Sequence, residues 1–307
     1  MSLCTALGKM LLKMSVFTPL WQEIDRFISF SSRFFVSLWN LTQKRQTMQA
    51  MIFAAGLGTR LRPLTGDRPK AMVEVAGRPL LEHVILKLRR QGFDRIVVNV
   101  HHFGEQIIDF LRTNNNFGMD IRISDERELL LNTGGGIKHA LPLFRTDEPI
   151  LIHNVDIASD MDLAAFYTQA SQQQDNFSYT ASVTPAVRPI TALLATNRRQ
   201  TSRFLLFNKE GDLRGWLNVR EGGNVGKAMG KESVEELQRL PFTGIHVLAP
   251  LAFEPLRQYP GEVFSIIDFY LSLCATHRLA SYPLPDDCRW VDCGKPEALP
   301  RAAEILG

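Results

Sequence analysis

One stretch near the start of the chain combines a short apolar run, two glycines and several cationic side chains. Residues 51–75 read Met-Ile-Phe-Ala-Ala-Gly-Leu-Gly-Thr-Arg-Leu-Arg-Pro-Leu-Thr-Gly-Asp-Arg-Pro-Lys-Ala-Met-Val-Glu-Val. The apolar run from Met51 to Ala55 predicts a buried strand. Gly56 and Gly58 then allow the backbone to turn tightly and to approach a ligand, because neither residue carries a Cβ atom.

The loop after this strand concentrates positive charge between two prolines. Four cations follow the glycines within eleven residues, namely Arg60, Arg62, Arg68 and Lys70. Like charges this close repel one another unless an anion is bound between them. Backbone N–H groups beside guanidinium groups are typical of sites for polyanions, and they indicate the phosphates of a nucleotide.

Two familiar glycine motifs do not fit this loop. The dinucleotide-binding motif requires a third glycine at the position of Leu61, and the P-loop requires a final Gly-Lys-Ser/Thr. The whole string from Gly56 to Lys70, Gly-x-Gly-x-Arg-Leu-x-Pro-Leu-Thr-x-x-x-Pro-Lys, is far more specific. It resembles the signature of the sugar-phosphate nucleotidyltransferases, also called nucleotide-sugar pyrophosphorylases. The resemblance extends over about residues 48–305.

The composition is that of an ordinary globular protein. The 307 residues are 45% hydrophobic and 22% charged, which suits one large domain or two small ones. The four cysteines, Cys4, Cys274, Cys288 and Cys293, have neither a disulfide framework nor zinc spacing. We therefore expect reduced thiols in a cytoplasmic protein.

Residues 1–47 differ from the rest of the chain in charge and in aromatic content. They hold six Lys or Arg against Glu23 and Asp25, whereas the remainder holds 29 basic and 30 acidic residues. The remainder thus has no basic surface for nucleic acid. Lys9, Lys13 and Arg26 interrupt the apolar pattern, which excludes a signal peptide or a membrane span.

Three interpretations of residues 1–47 stay open. Translation starts at Met48 and the segment is not native, or the segment is an amphipathic helix on a membrane or partner, or it is a helix added to the domain. In each case we divide the chain into an N-terminal extension over 1–47 and a nucleotidyltransferase domain over 48–307. The oligomeric state stays open.

Apolar strands alternate with amphipathic helices through the first half of the domain. We predict strands over 51–55, 93–100, 121–124 and 149–155, helices over 79–91 and 105–112, and a glycine-led helix ending at Leu141. This alternation predicts an α/β fold with a Rossmann-like, mostly parallel central sheet flanked by helices. Ligands of such sheets bind beyond the carboxyl ends of the strands.

The second half has shorter elements. We predict strands over 179–183, 192–196, 203–207, 213–217 and 242–248, a hairpin turn over 208–212, a polar loop with a short helix over 220–238, a helix over 265–276, and residues 288–294 closing the sheet. The resemblance implies that these strands include a small antiparallel sugar-binding subregion of a GT-A-like nucleotidyltransferase fold.

Two aspartates follow apolar strand residues. Asp156 ends Leu-Ile-His-Asn-Val-Asp, and Asp292 lies in Trp-Val-Asp-Cys-Gly. Taken singly, each could be a turn former or a helix cap. The resemblance implies that they are the two metal-binding aspartates, which would hold Mg²⁺. Val155 stands where the family usually has glycine, and Asp160 is expected to cap the helix that starts near Asp162.

The resemblance also assigns substrate-binding positions. The triplet after Thr133 resembles the Glu-Thr-Gly-Gly-Gly-Ile stretch of uridylyltransferases that act on muramic acid phosphate, although Asn132 replaces the acidic residue. The resemblance implies catalytic roles for Arg60 and Lys70. Nucleotide or sugar contacts fall on Ala55, Gly56, Gly58, Thr59, Thr133, Gly134, Gly135 and, in Phe-Thr-Gly-Ile, Gly244.

The implied reaction joins an NTP and a sugar 1-phosphate to give an NDP-sugar and pyrophosphate with Mg²⁺. UTP and N-acetylmuramate 1-phosphate are favoured as substrates, and the close alternative is a mannose- or heptose-1-phosphate guanylyltransferase. An alternative of another class is a non-catalytic nucleotide-sugar-binding regulatory subunit. Such a subunit would be expected to lose a metal carboxylate or the signature lysine, and the sequence retains Lys70, Asp156 and Asp292.

Overall fold

The computed structural model of the chain describes residues 47–179, 190–197, 199–221, 225–229 and 232–307. The three interpretations of the N-terminal extension therefore concern residues that lie outside the described ones, apart from Thr47. Most of the strand predicted over 179–183 lies outside them as well.

Strands account for much of the described part of the chain. They are β1 (Gln49–Phe53), β2 (Glu74–Val75), β3 (Arg78–Pro79), β4 (Arg95–Val100), β5 (Asp120–Asp125), β6 (Ile150–Asn154), β7 (Ile157–Ser159), β8 (Ile190–Thr196), β9 (Arg203–Phe207), β10 (Leu213–Asn218), β11 (Val225–Ala228), β12 (Gln238–Leu240), β13 (Phe242–Leu248), β14 (Arg278–Pro283) and β15 (Trp290–Asp292).

The α-helices of the described residues alternate with these strands. They are α1 (Leu80–Arg90), α2 (Gly104–Thr113), α3 (Asn132–Ala140), α4 (Leu163–Tyr179), α5 (Phe253–Gln258), α6 (Ile266–Leu273) and α7 (Leu299–Leu306). Among the described residues, none of these helices has the length and apolar character needed to cross a bilayer.

A seven-stranded sheet forms the centre of the described domain, in the order β14-β8-β13-β6-β1-β4-β5. Strand β1 pairs in parallel with β4 and β6, β4 pairs in parallel with β5, and β14 pairs in parallel with β8. Within the described strands of this sheet, only β13 runs antiparallel to its neighbours. The predicted α/β fold with a mostly parallel sheet is confirmed.

Both faces of the central sheet are covered by helices. Successive residues of β1 point to opposite faces, so that Met51 and Ile52 are both fully buried but belong to different hydrophobic clusters. Helices α1, α2, α4 and α7 contribute to the cluster of Ile52, and α3, α5 and α6 to that of Met51. Burial on both faces explains why the strand sequences are continuously apolar.

Helix α1 illustrates how the sequence sets a helix and its end. Its buried side chains include Leu81, Ile85 and Leu88, which recur at helical spacing on one face. Gly92 follows with φ of +87°, a conformation that glycine adopts without strain, and this ends the helix where the sequence predicts. Each buried leucine of such a face stabilises the fold by about 1.5–3 kcal/mol.

A second, four-stranded sheet has the order β11-β10-β9-β12. Strands β9 and β10 pair antiparallel, and Gly211 N donates to Asn208 O across the predicted hairpin turn. The prediction for residues 220–238 was incomplete, because the described part of this stretch contains β11, which pairs with β10. The Val-Gly-Lys-Ala sequence of β11 lacks the alternation that would have indicated a strand.

The prediction that residues 288–294 close the central sheet is wrong. Strand β15 pairs antiparallel with β7 in a separate two-stranded sheet. Strand β7 begins directly after Asp156 and was not predicted, because its three residues are too short for a periodic pattern. This two-stranded sheet brings Asp292, the last residue of β15, next to the segment that follows Asp156.

Candidate active site

The glycine loop begins at the carboxyl end of β1. The backbone N–H groups of Ala54 and Ala55 donate to Asn99 Oδ1 at 2.7 and 3.3 Å, which fixes the start of the loop. Gly58 has φ of +63°, and a Cβ atom there would lie 3.0 Å from Thr65 Cγ2 and 3.1 Å from Lys70 Cβ. Glycine is therefore required at residue 58 for both backbone conformation and packing.

Lys70 projects from the end of this loop toward the central sheet. Its neighbour Ala71 is fully buried and anchors the backbone. Lys70 Nζ lies 2.8 Å from Asp156 Oδ2, with the two side chains 15% and 6% exposed. A Cβ atom on Gly56 would lie 3.6 Å from Lys70 Nζ. The fold therefore brings Gly56, Lys70 and Asp156 together near the carboxyl ends of β1 and β6.

Asp292 joins this group through the β7–β15 pair. In the antiparallel register Asp292 lies opposite Ile157, the residue after Asp156. Cys293 N donates to Asp156 O at 2.7 Å, and Gly294 N donates to Asp292 Oδ1 at 2.8 Å. The two predicted metal-binding aspartates thus lie on neighbouring chain segments, although they are far apart in sequence.

The carboxylates of Asp156 and Asp292 are ligands of the type that Mg²⁺ prefers. Over the described residues, no group of three or more His, Cys, Asp and Glu side chains could hold a metal ion. Mg²⁺ needs no such group, because it is commonly bound through one or two carboxylates together with waters and substrate phosphates. Metals that depend on several nitrogen or sulfur ligands do not match this pair.

Arg60 lies at the outer side of the same group. It belongs to a short 3₁₀ turn, Thr59–Leu61, which is anchored by the fully buried Leu61. Arg60 Nη1 lies 4.0 Å from Asp292 Oδ2, and both side chains are substantially exposed. A Cβ atom on Gly294 would lie 2.5 Å from Arg60 Nη2, so glycine at residue 294 makes room for the guanidinium.

The other two loop cations are less closely connected to this group. Arg68 pairs with its neighbour Asp67, Nε to Oδ1 at 3.0 Å, and both side chains are exposed. Arg62 is also exposed. Of the four cations in the loop, Arg60 and Lys70 are therefore the two that the fold directs to the predicted carboxylates.

One expectation near Asp156 is contradicted by the structure, which also shows where the side chain of Val155 packs. Val155 is fully buried in the hydrophobic core, so its side chain packs with the apolar cluster. Asp160 does not cap α4, because Asp162 Oδ1 accepts from Ala165 N at 2.9 Å and fills that role. Asp160 instead accepts from the backbone N–H and Nε of Arg289, both at 2.8 Å.

The glycine triplet lies within α3, not in a loop before a helix. The N–H groups of Gly134 and Gly135 donate to Phe264 O, at 2.9 and 3.3 Å. A Cβ atom on Gly135 would lie 1.9 Å from Glu262 O, so the triplet allows residues 262–264 to pack against the helix. Thr133 Oγ1 accepts from Ile266 N at 3.0 Å. Two amides expected to face a nucleotide are therefore paired within the protein, and the binding role of these residues stays a prediction.

Gly244 lies close to the same end of the sheet. Its φ is +84°, and a Cβ atom would lie 2.6 Å from Asn154 Nδ2. Asn154 ends β6, two residues before Asp156. The predicted sugar-pocket glycine is thus held near the carboxylates by a close approach that no larger residue permits.

Asn99 and Glu126 form a buried polar pair that the sequence interpretation missed. Asn99 Nδ2 donates to Glu126 Oε1 at 2.8 Å, while Leu131 N donates to Glu126 Oε2 at 3.2 Å. Burial raises the pKa of the Glu126 carboxyl. The pair links the start of the glycine loop to the segment before α3. A polar residue within the apolar strand Ile-Val-Val-Asn-Val was the signal that could have indicated it.

Comparison with known proteins shows the family to which the chain belongs. Residues 49–191 match the family described as nucleotidyl transferase. The chain is similar to N-acetylmuramate alpha-1-phosphate uridylyltransferase of Caulobacter vibrioides, with 33% identity over 81% of this chain and 93% of that protein. A protein of the same name from Neisseria meningitidis is 41% identical over 43% of this chain and 56% of its own length.

Solved structures show the same fold. The crystal structure of HddC from Yersinia pseudotuberculosis, complexed with GMP-PN, matches with a TM-score of 0.59 at 20% identity, and the match covers 85% of this chain and 100% of that one. The family assignment rests on the Caulobacter vibrioides protein, to which this chain is similar over most of both lengths. The chain therefore belongs to the nucleotidyl transferase family and is an enzyme of the sugar-1-phosphate nucleotidyltransferase class.

Proposed function

We propose that this enzyme transfers UMP from UTP to N-acetylmuramate 1-phosphate, giving UDP-N-acetylmuramate and pyrophosphate. The observation that carries the proposal is the meeting of Lys70, Asp156, Arg60 and Asp292 beside the glycine loop. The names of two relatives, one of them similar over most of its length, support UTP and the muramate substrate.

The glycine loop would bind the triphosphate. In this proposal the backbone around Ala55, Gly56, Gly58 and Thr59 approaches the phosphates, since glycine leaves the main chain accessible. Arg60 is exposed next to this loop and would contact the phosphates through its guanidinium group. Gly244 would offer its backbone to the sugar.

Lys70 would act as a fixed positive charge at the reacting phosphate. Its ammonium already lies against Asp156, so it needs no large movement to reach an oxygen that approaches the same carboxylate. The sugar 1-phosphate oxygen is itself a competent nucleophile, so the enzyme needs no covalent intermediate. Its contribution is to position the two substrates in line and to stabilise the developing charge.

Asp156 and Asp292 would hold Mg²⁺. When bound, the ion would offset negative charge on the phosphoryl group being transferred. The paired backbone around the carboxylates supports this role, because Cys293 N and Gly294 N fix the segments from which they project. Preorganised oxygen ligands cost little rearrangement when an ion binds.

Pyrophosphate release tests the proposal. The full-length protein with Mg²⁺ is given each of four NTPs with each of a panel of sugar 1-phosphates, including N-acetylmuramate, glucose, mannose and heptose 1-phosphates. We expect the highest kcat/KM with UTP and N-acetylmuramate 1-phosphate. Highest activity with GTP and mannose or heptose phosphate would overturn the proposed substrates while leaving the reaction class intact.

A further inference from the structure

A large cleft opens directly beside Asp292. Its volume is about 850 Å³, and its lining includes Arg60, Arg199, Trp290, Asp292, Lys295 and Arg301. Arg60 comes from the loop after β1, and the other five come from the segment after β8, from β15 and the turn after it, and from α7. Residues 284–286 after β14 also line the cleft, so it lies beyond the carboxyl ends of β8 and β14. Of the six, Arg60 and Asp292 have roles in the proposed reaction.

Two residues that line this cleft each carry a buried donor atom that lacks an acceptor in the described parts of the chain. One is Arg199 Nη1 and the other is Trp290 Nε1. The Arg199 guanidinium lies over the Trp290 ring, 4.3 Å from its centroid, so the two donor groups belong to one stacked unit. A buried donor without an acceptor costs about 1–3 kcal/mol, which an incoming acceptor would recover.

The charges around the stacked unit favour an anion with a single negative charge. Arg60 and Asp292 are assigned to the triphosphate and the metal in the proposed reaction, which leaves Arg199, Lys295 and Arg301 in the cleft lining with the carboxylates of Asp286 and Glu297. The cations therefore exceed the carboxylates by one. A carboxylate accepts two hydrogen bonds from neighbouring donors and carries one charge, whereas a second phosphate would bring close to two.

We propose that the cleft beside Asp292 binds a carboxylate carried by the sugar substrate, with Arg199 and Trp290 Nε1 as its donors. This inference rests on the proposed function and identifies the group of the sugar that the enzyme recognises. N-acetylmuramate carries such a carboxylate on its lactyl ether, whereas N-acetylglucosamine is the same sugar without that ether. Arg199 would thus select for the acidic sugar without touching the reacting phosphate.

Equilibrium binding to the full-length protein tests this inference without turnover. The probes are N-acetylmuramate 1-phosphate and N-acetylglucosamine 1-phosphate, measured by calorimetry with Mg²⁺. We expect Arg199→Met to weaken binding of the muramate compound by about 10- to 100-fold, the size expected for hydrogen bonds to a charged group. Its Kd for the neutral sugar should change less than twofold.

A second variant separates recognition from folding. Trp290→Phe keeps an aromatic ring under Arg199 but removes Nε1, and it should weaken muramate binding by about 2- to 10-fold. Arg257→Met is the matched control, because Arg257 is exposed on α5 and pairs with Glu254 away from the cleft. It should leave both constants within twofold.

Three outcomes would overturn the inference. Arg199→Met could weaken both sugar phosphates equally, which would indicate a structural role. It could leave muramate binding unchanged. Glucose 1,6-bisphosphate could bind more tightly than the muramate compound and lose that advantage in Arg199→Met, which would assign the cleft to a second phosphate. Failure of pyrophosphate release with every substrate pair, with these binding differences intact, would overturn the proposed reaction and keep the carboxylate site.

Discussion

Two cation–carboxylate pairs lie at the same edge of the sheet and differ in distance and in exposure to solvent. We call Lys70 with Asp156 the inner pair and Arg60 with Asp292 the outer pair. Lys70 and Asp156 are 2.8 Å apart with side chains 15% and 6% exposed. Arg60 and Asp292 are 4.0 Å apart with side chains 58% and 41% exposed. Water and salt screen the outer pair strongly and the inner pair weakly.

This difference assigns separate tasks to the two pairs. The inner pair is fixed by its surroundings, since Ala71 is buried beside Lys70 and the backbone of Asp156 is bonded to Cys293. The outer pair is weakly held, so Arg60 can exchange Asp292 for a substrate phosphate at little cost. We infer that the inner pair is a preorganised part of the reaction centre, whereas the outer pair rearranges when a substrate phosphate binds.

The largest expected effect comes from neutralising the inner carboxylate. Asp156→Asn should lower kcat/KM for pyrophosphate release roughly 10³-fold, because a preorganised charge at the reacting group is lost. Asp292→Asn should cost roughly 10²-fold, since its carboxylate is more exposed and water can partly replace it. Steady-state kinetics at saturating Mg²⁺ measures both.

Asp109→Asn is the control for this comparison, because Asp109 is exposed on α2 and pairs with Arg112. Its kcat/KM should stay within twofold of the unmodified enzyme. Unchanged turnover in both Asp156→Asn and Asp292→Asn would contradict the metal assignment. A larger loss in Asp292→Asn than in Asp156→Asn would reverse the ranking of the two pairs.

Lys70 and Arg60 should contribute differently to folding stability. Lys70→Met leaves the buried Asp156 carboxylate without its partner, and we expect the free energy of unfolding to fall by roughly 3 kcal/mol. Urea unfolding in the presence of a chelator measures this loss. Excess Mg²⁺ should reduce the loss, because a divalent cation at Asp156 would replace the missing ammonium. A deficit that Mg²⁺ does not change would argue against ion binding at Asp156.

A third cation, Lys87, tests the effect of burial where no described carboxylate forms a salt bridge with the ammonium. Its Nζ donates to Ser159 O at 2.6 Å and to Ser159 Oγ at 3.1 Å, and burial lowers its pKa from 10.5 to about 8. The unfolded chain holds this proton more tightly than the folded protein does. Raising the pH from 8 to 10 should therefore increase the contribution of Lys87 to stability, by about 2 kcal/mol.

The measurement for Lys87 is the difference in unfolding free energy between the unmodified protein and Lys87→Met at several pH values. Both proteins should carry Cys288→Ser, because the Cys288 thiol interacts with Lys87 and would titrate differently in the two. The difference then cancels the titration of the other cysteine thiols, which lowers stability in the same range. A difference that is constant from pH 8 to 10 would show that Lys87 keeps an ordinary pKa in the folded state.

The smallest effect is expected at the outer pair. Arg60→Met should lower the free energy of unfolding by no more than about 0.5 kcal/mol at low salt, because both side chains are well exposed. The loss should disappear in 1 M NaCl, where the Debye length is about 3 Å. Urea midpoints at the two salt concentrations test this. A salt-independent loss above about 1 kcal/mol would mean that Arg60 is structurally fixed.

The sequence indicates that the glycine loop and Asp156 lie at strand ends, but it does not indicate that Asp292 lies beside them. Apolar runs that end in Gly56 and Asp156 indicate strand ends, and parallel strands bring such ends to one edge. The approach of Asp292 depends on the register of β7 and β15, two three-residue strands without a periodic pattern. No local propensity specifies a pairing between segments so distant in sequence.

The glycine triplet shows a second limit of sequence interpretation. Three consecutive glycines indicate a loop, because glycine destabilises a helix by roughly 1 kcal/mol per residue relative to alanine. Here close packing outweighs that cost, since residue 135 leaves only enough space for a hydrogen beside Glu262 O. This contact is tertiary, and the sequence does not indicate which segment will approach the helix.

Because β7 must pair with β15 to bring Asp156 and Asp292 together, the proposed metal site forms only when the domain is fully folded. One carboxylate comes from the middle of the chain and the other from its last part, and they meet only after a long loop has closed. An ion that needs both would bind the finished domain and not its partly folded forms. Its binding free energy would then add to the stability of the native state alone, so the stability of the domain would rise with the Mg²⁺ concentration.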